Sequence, residues 1–144
     1  MANLETKYLG LTLRNPIIAA SSGLTNSIKD LKEFEENGAG AVVLKSIFEE
    51  EIVLQLEKDK STMNRESFIF PETVDFYDDM ASDDAFTEHL KLIREAKKEL
   101  SIPVIASVNC MSADKWPVYA QNLQDAGADA IELNVFIMPS DFNK

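Results

Sequence analysis

The side chains best placed to do chemistry in this sequence stand where apolar runs end. Lys45 directly follows Ala41-Val42-Val43-Leu44, and Asn134 directly follows Ala130-Ile131-Glu132-Leu133. A lysine leaving an apolar strand has its aliphatic stem walled in. Its ammonium then needs an anion, a carbonyl or an electron-rich ring to offset partial desolvation; otherwise it snorkels to solvent. Asn134 offers both a donor and an acceptor, which suits the amide edge of a planar heterocycle. A turn-forming asparagine is the alternative reading. Ser21, Ser22, Ser46 and Asn109 also follow apolar runs, so all six would line one rim. His89 falls on the polar side of an expected helix and reads as solvent-exposed. Cys110 follows a strand and reads as a buried, inert thiol. No His/Cys spacing of a metal site occurs, so no metal is expected. Gly38-x-Gly40 precedes a strand and lacks a third glycine, so it is not a dinucleotide fingerprint.

These residues need a scaffold, and a near-repeat supplies it. Pro16-Ile17-Ile18-Ala19-Ala20-Ser21 returns as Pro103-Val104-Ile105-Ala106-Ser107, offset by 87 residues. Gly38-Ala39-Gly40-Ala41-Val42-Val43-Leu44-Lys45 returns as Gly127-Ala128-Asp129-Ala130-Ile131-Glu132-Leu133-Asn134, offset by 89. Each unit reads as strand, helix, glycine stop, strand. Short uninterrupted apolar runs fit strands covered on both faces. Ser27 and Asp30 mark a helix start, and Ile28, Leu31 and Phe34 give its apolar stripe. Asn37-Gly38 stops it. Asp114 can cap a later helix with Pro117 in its first turn and Tyr119, Leu123 and Ala126 on its buried face. Residues 85–100 form a further helix, with Phe86, Leu90, Ile93 and Leu100 on one side. Leu9, Leu11 and Leu13 suggest a hairpin or edge segment before the first sheet strand. Residues 46–84 read as an inserted excursion packing over one end of the sheet. The order β-α-β-α-β-α-β fits either an open doubly wound sheet or half of an eight-stranded barrel.

The chain of 144 residues is long enough for one domain with a real core. Its net charge is -11, and residues 46–100 carry 15 acidic against 7 basic side chains. Such a surface repels phosphates, so nucleic acid is not an expected partner. No apolar run approaches the ~20 residues of a membrane span, so no membrane partner is expected either. No secretory signal is visible at Met1-Ala2-Asn3-Leu4-Glu5. The single cysteine excludes an internal disulfide and fits a reducing compartment, so the cytoplasm is the expected location.

Asn15-Pro16-Ile17-Ile18-Ala19-Ala20-Ser21, Gly40-Ala41-Val42-Val43-Leu44-Lys45-Ser46 and Ile131-Glu132-Leu133-Asn134 together resemble the dihydroorotate dehydrogenase family. The resemblance implies an FMN-containing (β/α)8 barrel, of the TIM-barrel type, serving pyrimidine synthesis. Residues 1–144 would be its N-terminal half: the hairpin closing the barrel bottom and about the first four strands. By position, Ala20 and Ser21 are similar to residues lying along the flavin. Lys45 is similar to the lysine touching flavin and substrate, and Ser46 to its flavin-contacting neighbour. Ser107 matches a polar position near the flavin ring, and Asn109 lies two residues beyond it. Asn134 is similar to the asparagine bonding both flavin and substrate. The implied reaction is an oxidoreductase step on a CH–CH donor resembling dihydroorotate, a small dihydropyrimidine-like substrate. The family follows that asparagine with a Cys or Ser base, then Pro and Asn. Here Val135-Phe136-Ile137-Met138-Pro139-Ser140 puts Ile137 at the base position, and Ile cannot take a proton. The base is therefore unassigned. Phe70-Pro71-Glu72 is the nearest match to the family's Gly-Leu-Pro-Asn segment. A barrel takes ~250 residues, so the later phosphate-binding strands would lie beyond Lys144 and the chain alone would be inactive. Two alternatives remain: a non-catalytic half-barrel that self-associates as a homo-oligomer, and a non-flavin barrel binding a sugar phosphate.

Overall fold

The computed structural model describes residues 2–50, Ile52 and residues 84–135. Most of the expected excursion, residues 53–83, lies outside them, as does the segment 136–144. The chain opens with a hairpin of β1 (Thr6–Tyr8) and β2 (Leu11–Leu13), paired antiparallel with Thr6 opposite Leu13. Its two-residue turn, Leu9-Gly10, has φ of 51° and 80°. Two positive φ values in succession match the twist of the flanking strands.

Four parallel ladders follow. They join β3 (Ile18–Ala19), β4 (Ala41–Val43), β5 (Ile47–Phe48), β6 (Val104–Asn109) and β7 (Ala130–Leu133). β4 and β5 lie on one edge of β6, and β7 lies on the other. Val43 is opposite Ile105, while Ile47 is opposite Val108. One strand therefore advances by a residue more than its partner between these points. That is a bulge, and it spans Leu44, Lys45 and Ser46.

Strand order follows chain order without reversal. Among the described residues, the strands are joined by helices α1 (Ile28–Glu36), α2 (Asp84–Glu99) and α3 (Lys115–Asp125). All three pack on one face of the sheet: Leu31, Ile93 and Leu123 share a core with Val42, Leu44, Val104, Ala106 and Val108. A doubly wound sheet needs helices on both faces. The described strands instead form a singly wound α/β segment, the arrangement of a barrel wall. Each fully buried aliphatic side chain in this layer contributes about 1.5–3 kcal/mol.

The opposite face is covered differently. Ala41, Val43 and Ile105 meet Leu13 there, flanked by Leu11, Ile18 and Ala130. The hairpin thus lies over the beginnings of the strands. Two side chains strap it down: Arg14 Nε donates to the Ala39 carbonyl at 2.9 Å, and Asn15 Nδ2 to the Gly38 carbonyl at 2.8 Å. Both carbonyls lie just beyond the C-cap Asn37 of α1.

The helix boundaries follow local chemistry. Ser27 accepts from the Asp30 N–H at 3.3 Å, and Gly38, with φ of 98°, turns the chain out of α1. Gly127 does the same after α3, with φ of 100°. Asp114 departs from expectation. It precedes α3 but makes no capping bond, because its backbone is already helical (φ -75°, ψ -20°). A cap reaches the orphan N–H groups from an extended backbone.

Gly40 donates its N–H to the Ile17 carbonyl at 2.7 Å, and a Cβ built on it would collide with the Asn15 carbonyl oxygen. Gly40→Ala is therefore expected to destabilise the protein by about 1–3 kcal/mol. Gly23→Ala, where a Cβ would meet nothing within 4 Å, should change stability far less. Urea unfolding midpoints of the two variants check this contrast.

Candidate functional site

Alternation along each strand divides the face opposite the helices into two halves. Its lower half is the apolar set under the hairpin. Continuing upward past Ile105 brings Ser107 and Asn109; past Ala130 it brings Glu132 and Asn134. Ser107 is opposite Glu132 in the ladder, fully buried, and donates from Oγ to Glu132 Oε1 at 2.8 Å. Asn109 is buried and donates from Nδ2 to the Asn134 carbonyl at 2.6 Å. The Asn134 N–H continues the ladder to the Val108 carbonyl at 2.9 Å, so this residue is held in register.

The first two parallel strands build the other side of the rim. Ser21 Oγ accepts from the Ser46 N–H at 3.0 Å, and the Lys45 N–H donates to the Thr25 carbonyl at 3.3 Å. Thr25 is itself buried at the end of a capped turn that Ser22 starts. Lys45 is half-buried and lies within the bulge, which alters the direction its neighbours take. Ala20 is exposed. The residues named from the sequence thus fall into two bonded groups, Ser21 with Ser46 and Asn109 with Asn134, with Lys45 beside the first. The groups stand on neighbouring strands, because β4 pairs directly with β6, and only Lys45 and Asn134 have β6 between them. β4 and β7, on either side of β6, lie about 10 Å apart, a span a three-ring heterocycle can bridge.

His89 contradicts its expected exposure. It is 8% exposed, because it shares the buried stripe of Phe86 and Ile93 on α2. Burial and, second, the Lys45 charge lower its pKa from 6.5 to about 4, so the ring is neutral at neutral pH. Among the described residues its Nε2 has no hydrogen-bond partner, and neither has the buried Ser46 Oγ. Cys110 is buried as expected; burial, with the Glu49 and Glu50 charges, pushes its thiol up to about 11. Among the described residues no group of His, Cys, Asp and Glu could hold a metal ion. No described helix is long and apolar enough to cross a membrane.

Two carboxylates went unnoticed in the sequence. Glu132 stands two residues before Asn134 on the same face, a spacing that strand periodicity makes readable. Glu49 belongs to the run Glu49-Glu50-Glu51, which reads as a solvated acidic stretch, yet Glu49 is buried.

No protein-family model matches the chain. Among curated proteins, the catalytic subunit of dihydroorotate dehydrogenase B (NAD(+)) from Thermoplasma acidophilum is 30% identical over 143 residues, covering 94% of this chain and 42% of that protein. The protein of that name from Methanocella arvoryzae is 34% identical over 134 residues, covering 88% and 38%. A putative dihydroorotate dehydrogenase A (fumarate) from Aeropyrum pernix is 29% identical over 133 residues, covering 92% and 40%. The chain is a relative of the dihydroorotate dehydrogenases. It spans about two fifths of the length of the curated relatives it matches. That share fits the part of a dihydroorotate dehydrogenase expected from the order of its motifs. The departures from the family pattern at Ile137 and Pro139, and the segment Phe70-Pro71-Glu72, lie outside the described residues.

His89 gives this site a pH signature. Between pH 6.5 and about 4 the unfolded chain binds a proton there that the folded chain does not. Stability is therefore full above pH 6.5 and falls on acidification, by about 3 kcal/mol in all. The carboxylates of Glu35 and Glu49, held below their ordinary values, lose stability only at lower pH. A His89→Leu variant should flatten the dependence of the unfolding free energy between pH 6.5 and 5. Denaturant titrations across that window check it.

Proposed function

We propose that the upper inner face is one side of the flavin site of an FMN-dependent oxidoreductase that oxidises a dihydropyrimidine-like ring. The observation that carries this reading is the division of that face. Polar residues from successive parallel strands stand above an apolar plug, at the strand ends where ligands of such folds bind. Kinship with dihydroorotate dehydrogenases supplies the substrate class.

The donor set fits a flavin. Its ring carries carbonyls and an imide, and the rim offers a cation, an amide and hydroxyls. Ala20 and Ser21 would lie along the ring. Lys45 would stabilise negative charge on the flavin or the substrate, and the Asn134 amide would donate to one and accept from the other. Ser46 Oγ, buried without a partner, is a hydroxyl available to a ligand. Ser107 is oriented by Glu132, so its proton is committed and its lone pairs are left to accept. Asn109 would hold Asn134 in place from behind. The bound flavin supplies the two-electron acceptor for hydride from the ring carbon. Exclusion of water from the lower half falls to Leu13 and the apolar layer.

A second reading is favoured by the sheet edges. Among the described residues β3 and β7 are each paired on one side only, and Leu133 and Val135 are exposed. A self-associating half-barrel would cover these edges, and gel filtration reads its size.

Titration of the full-length protein with FMN, followed by flavin absorbance and then by anaerobic addition of dihydroorotate, tests the first reading. We expect stoichiometric binding, bleaching by dihydroorotate, and FMN binding weakened about tenfold or more in Lys45→Ala and Asn134→Ala. A protein that binds no FMN, or variants that bind it as tightly as the parent, would overturn the site. A flavoprotein indifferent to dihydroorotate would overturn the substrate class alone.

A further inference from the structure

Glu49 is a buried carboxylate for which the flavin reading has no use. It directly follows β5 and is 5% exposed. Its Oε2 accepts from the Met111 N–H at 2.7 Å and from the Ser112 N–H at 3.0 Å. Its Oε1 accepts from Ser112 Oγ at 2.7 Å. Two successive backbone N–H groups converging on one oxygen form an anion nest, here filled by the chain's own side chain. Burying a carboxylate is costly unless such bonds offset the lost hydration. Burial pushes the Glu49 pKa up, but the bonds from Ser112 and Met111 and the Lys115 charge outweigh it, so the group stays below its ordinary value.

The place of this clamp gives it a consequence. The loop it grips leaves β6 immediately after Asn109 and Cys110. Asn109 is the residue whose side chain holds the Asn134 carbonyl. β5 pairs with β6 at this height, Phe48 opposite Asn109. The carboxylate therefore fixes the chain just beyond Asn109 to the strand beside it. We infer that Glu49 is a positioning residue for the Asn109–Asn134 edge, holding the loop after β6 so that the asparagine side chain keeps one orientation at the rim. Its consequence for ligand binding rests on the flavin reading; its consequence for Asn109 does not.

The test compares the parent with Glu49→Ala, Glu49→Gln and Ser112→Ala. Nuclear magnetic resonance reads amide exchange at Met111 and Ser112 and the side-chain NH2 signals of Asn109, and FMN titration runs in parallel. In Glu49→Ala the two amides should exchange about tenfold faster or more. The Asn109 side-chain signals should shift, and FMN should bind about tenfold more weakly. Glu49→Gln should restore all three. Its carbonyl still accepts from both N–H groups, and its amide can donate to Ser112 Oγ. Ser112→Ala removes a single bond and should give a smaller shift in the same direction, which keeps the inference testable if Glu49→Ala fails to fold. Faster exchange at Met111 and Ser112 with unshifted Asn109 signals would overturn the inference, leaving a clamp of local reach. If the parent binds no FMN, the flavin reading falls, and the Asn109 signals still decide the role of Glu49.

Discussion

Everything at the candidate site depends on where the crossovers go. Successive parallel strands joined without reversal place all three described helices on one face of the sheet. The other face must be covered by something else or left to a ligand. The hairpin provides half the answer: Leu13 caps Ala41, Val43 and Ile105 at the beginnings of the strands. Above that layer the same strands switch to Ser107, Asn109, Glu132 and Asn134. A polar inner face is tolerable only where water or a bound molecule meets it, because buried polar groups without partners are costly. The division of one sheet face into an apolar floor and a polar rim thus follows from topology, and the rim is where chemistry becomes feasible.

The polar groups that are buried show how narrowly they are provided for. Ser107 finds Glu132, Asn109 finds the Asn134 carbonyl, and Glu49 finds three donors in the loop after β6. Each bond joins neighbouring strand ends, so the rim behaves as a connected edge rather than as separate side chains. The bulge at Leu44, Lys45 and Ser46 interrupts regular alternation at the place where Lys45 joins this edge. His89 lies within electrostatic reach of Lys45 and is held neutral largely by burial. A protonated imidazole there would add a second positive charge beside the first.

Much of this was legible in the sequence. The repeat, with its glycine stops at Gly38 and Gly127, marked β3, α1, β4, β6, α3 and β7 in order, because helix termination and apolar runs are local properties; β5 fell inside the stretch read as an excursion. The hairpin and the rim positions of Lys45, Ser107, Asn109 and Asn134 followed from the same local grammar and from the family motifs. Periodicity alone did not choose between a doubly wound sheet and a barrel wall, because which face a helix covers is decided by strand order in space; only the family motifs pointed to a barrel. The burial of His89 was misjudged because Phe86, His89 and Ile93 form a stripe that counting only apolar residues conceals. Glu49 was hidden for a different reason: its partners lie 62 and 63 residues away, and nothing in an acidic run marks one carboxylate as buried. Asp114 shows the converse limit, since residue type alone does not fix the backbone from which a cap must reach.

On the flavin reading, the polar upper half of the inner face, and not the helix-covered face, meets the ligand. Mapping backbone and side-chain resonance changes during an FMN titration decides between the two faces. Changes should concentrate at Ser21, Lys45, Ser46, Ser107, Asn109, Glu132 and Asn134, with the helix-facing Val42, Val104 and Ala106 little affected. Changes confined to the helix face, or none at saturating FMN, would contradict that reading.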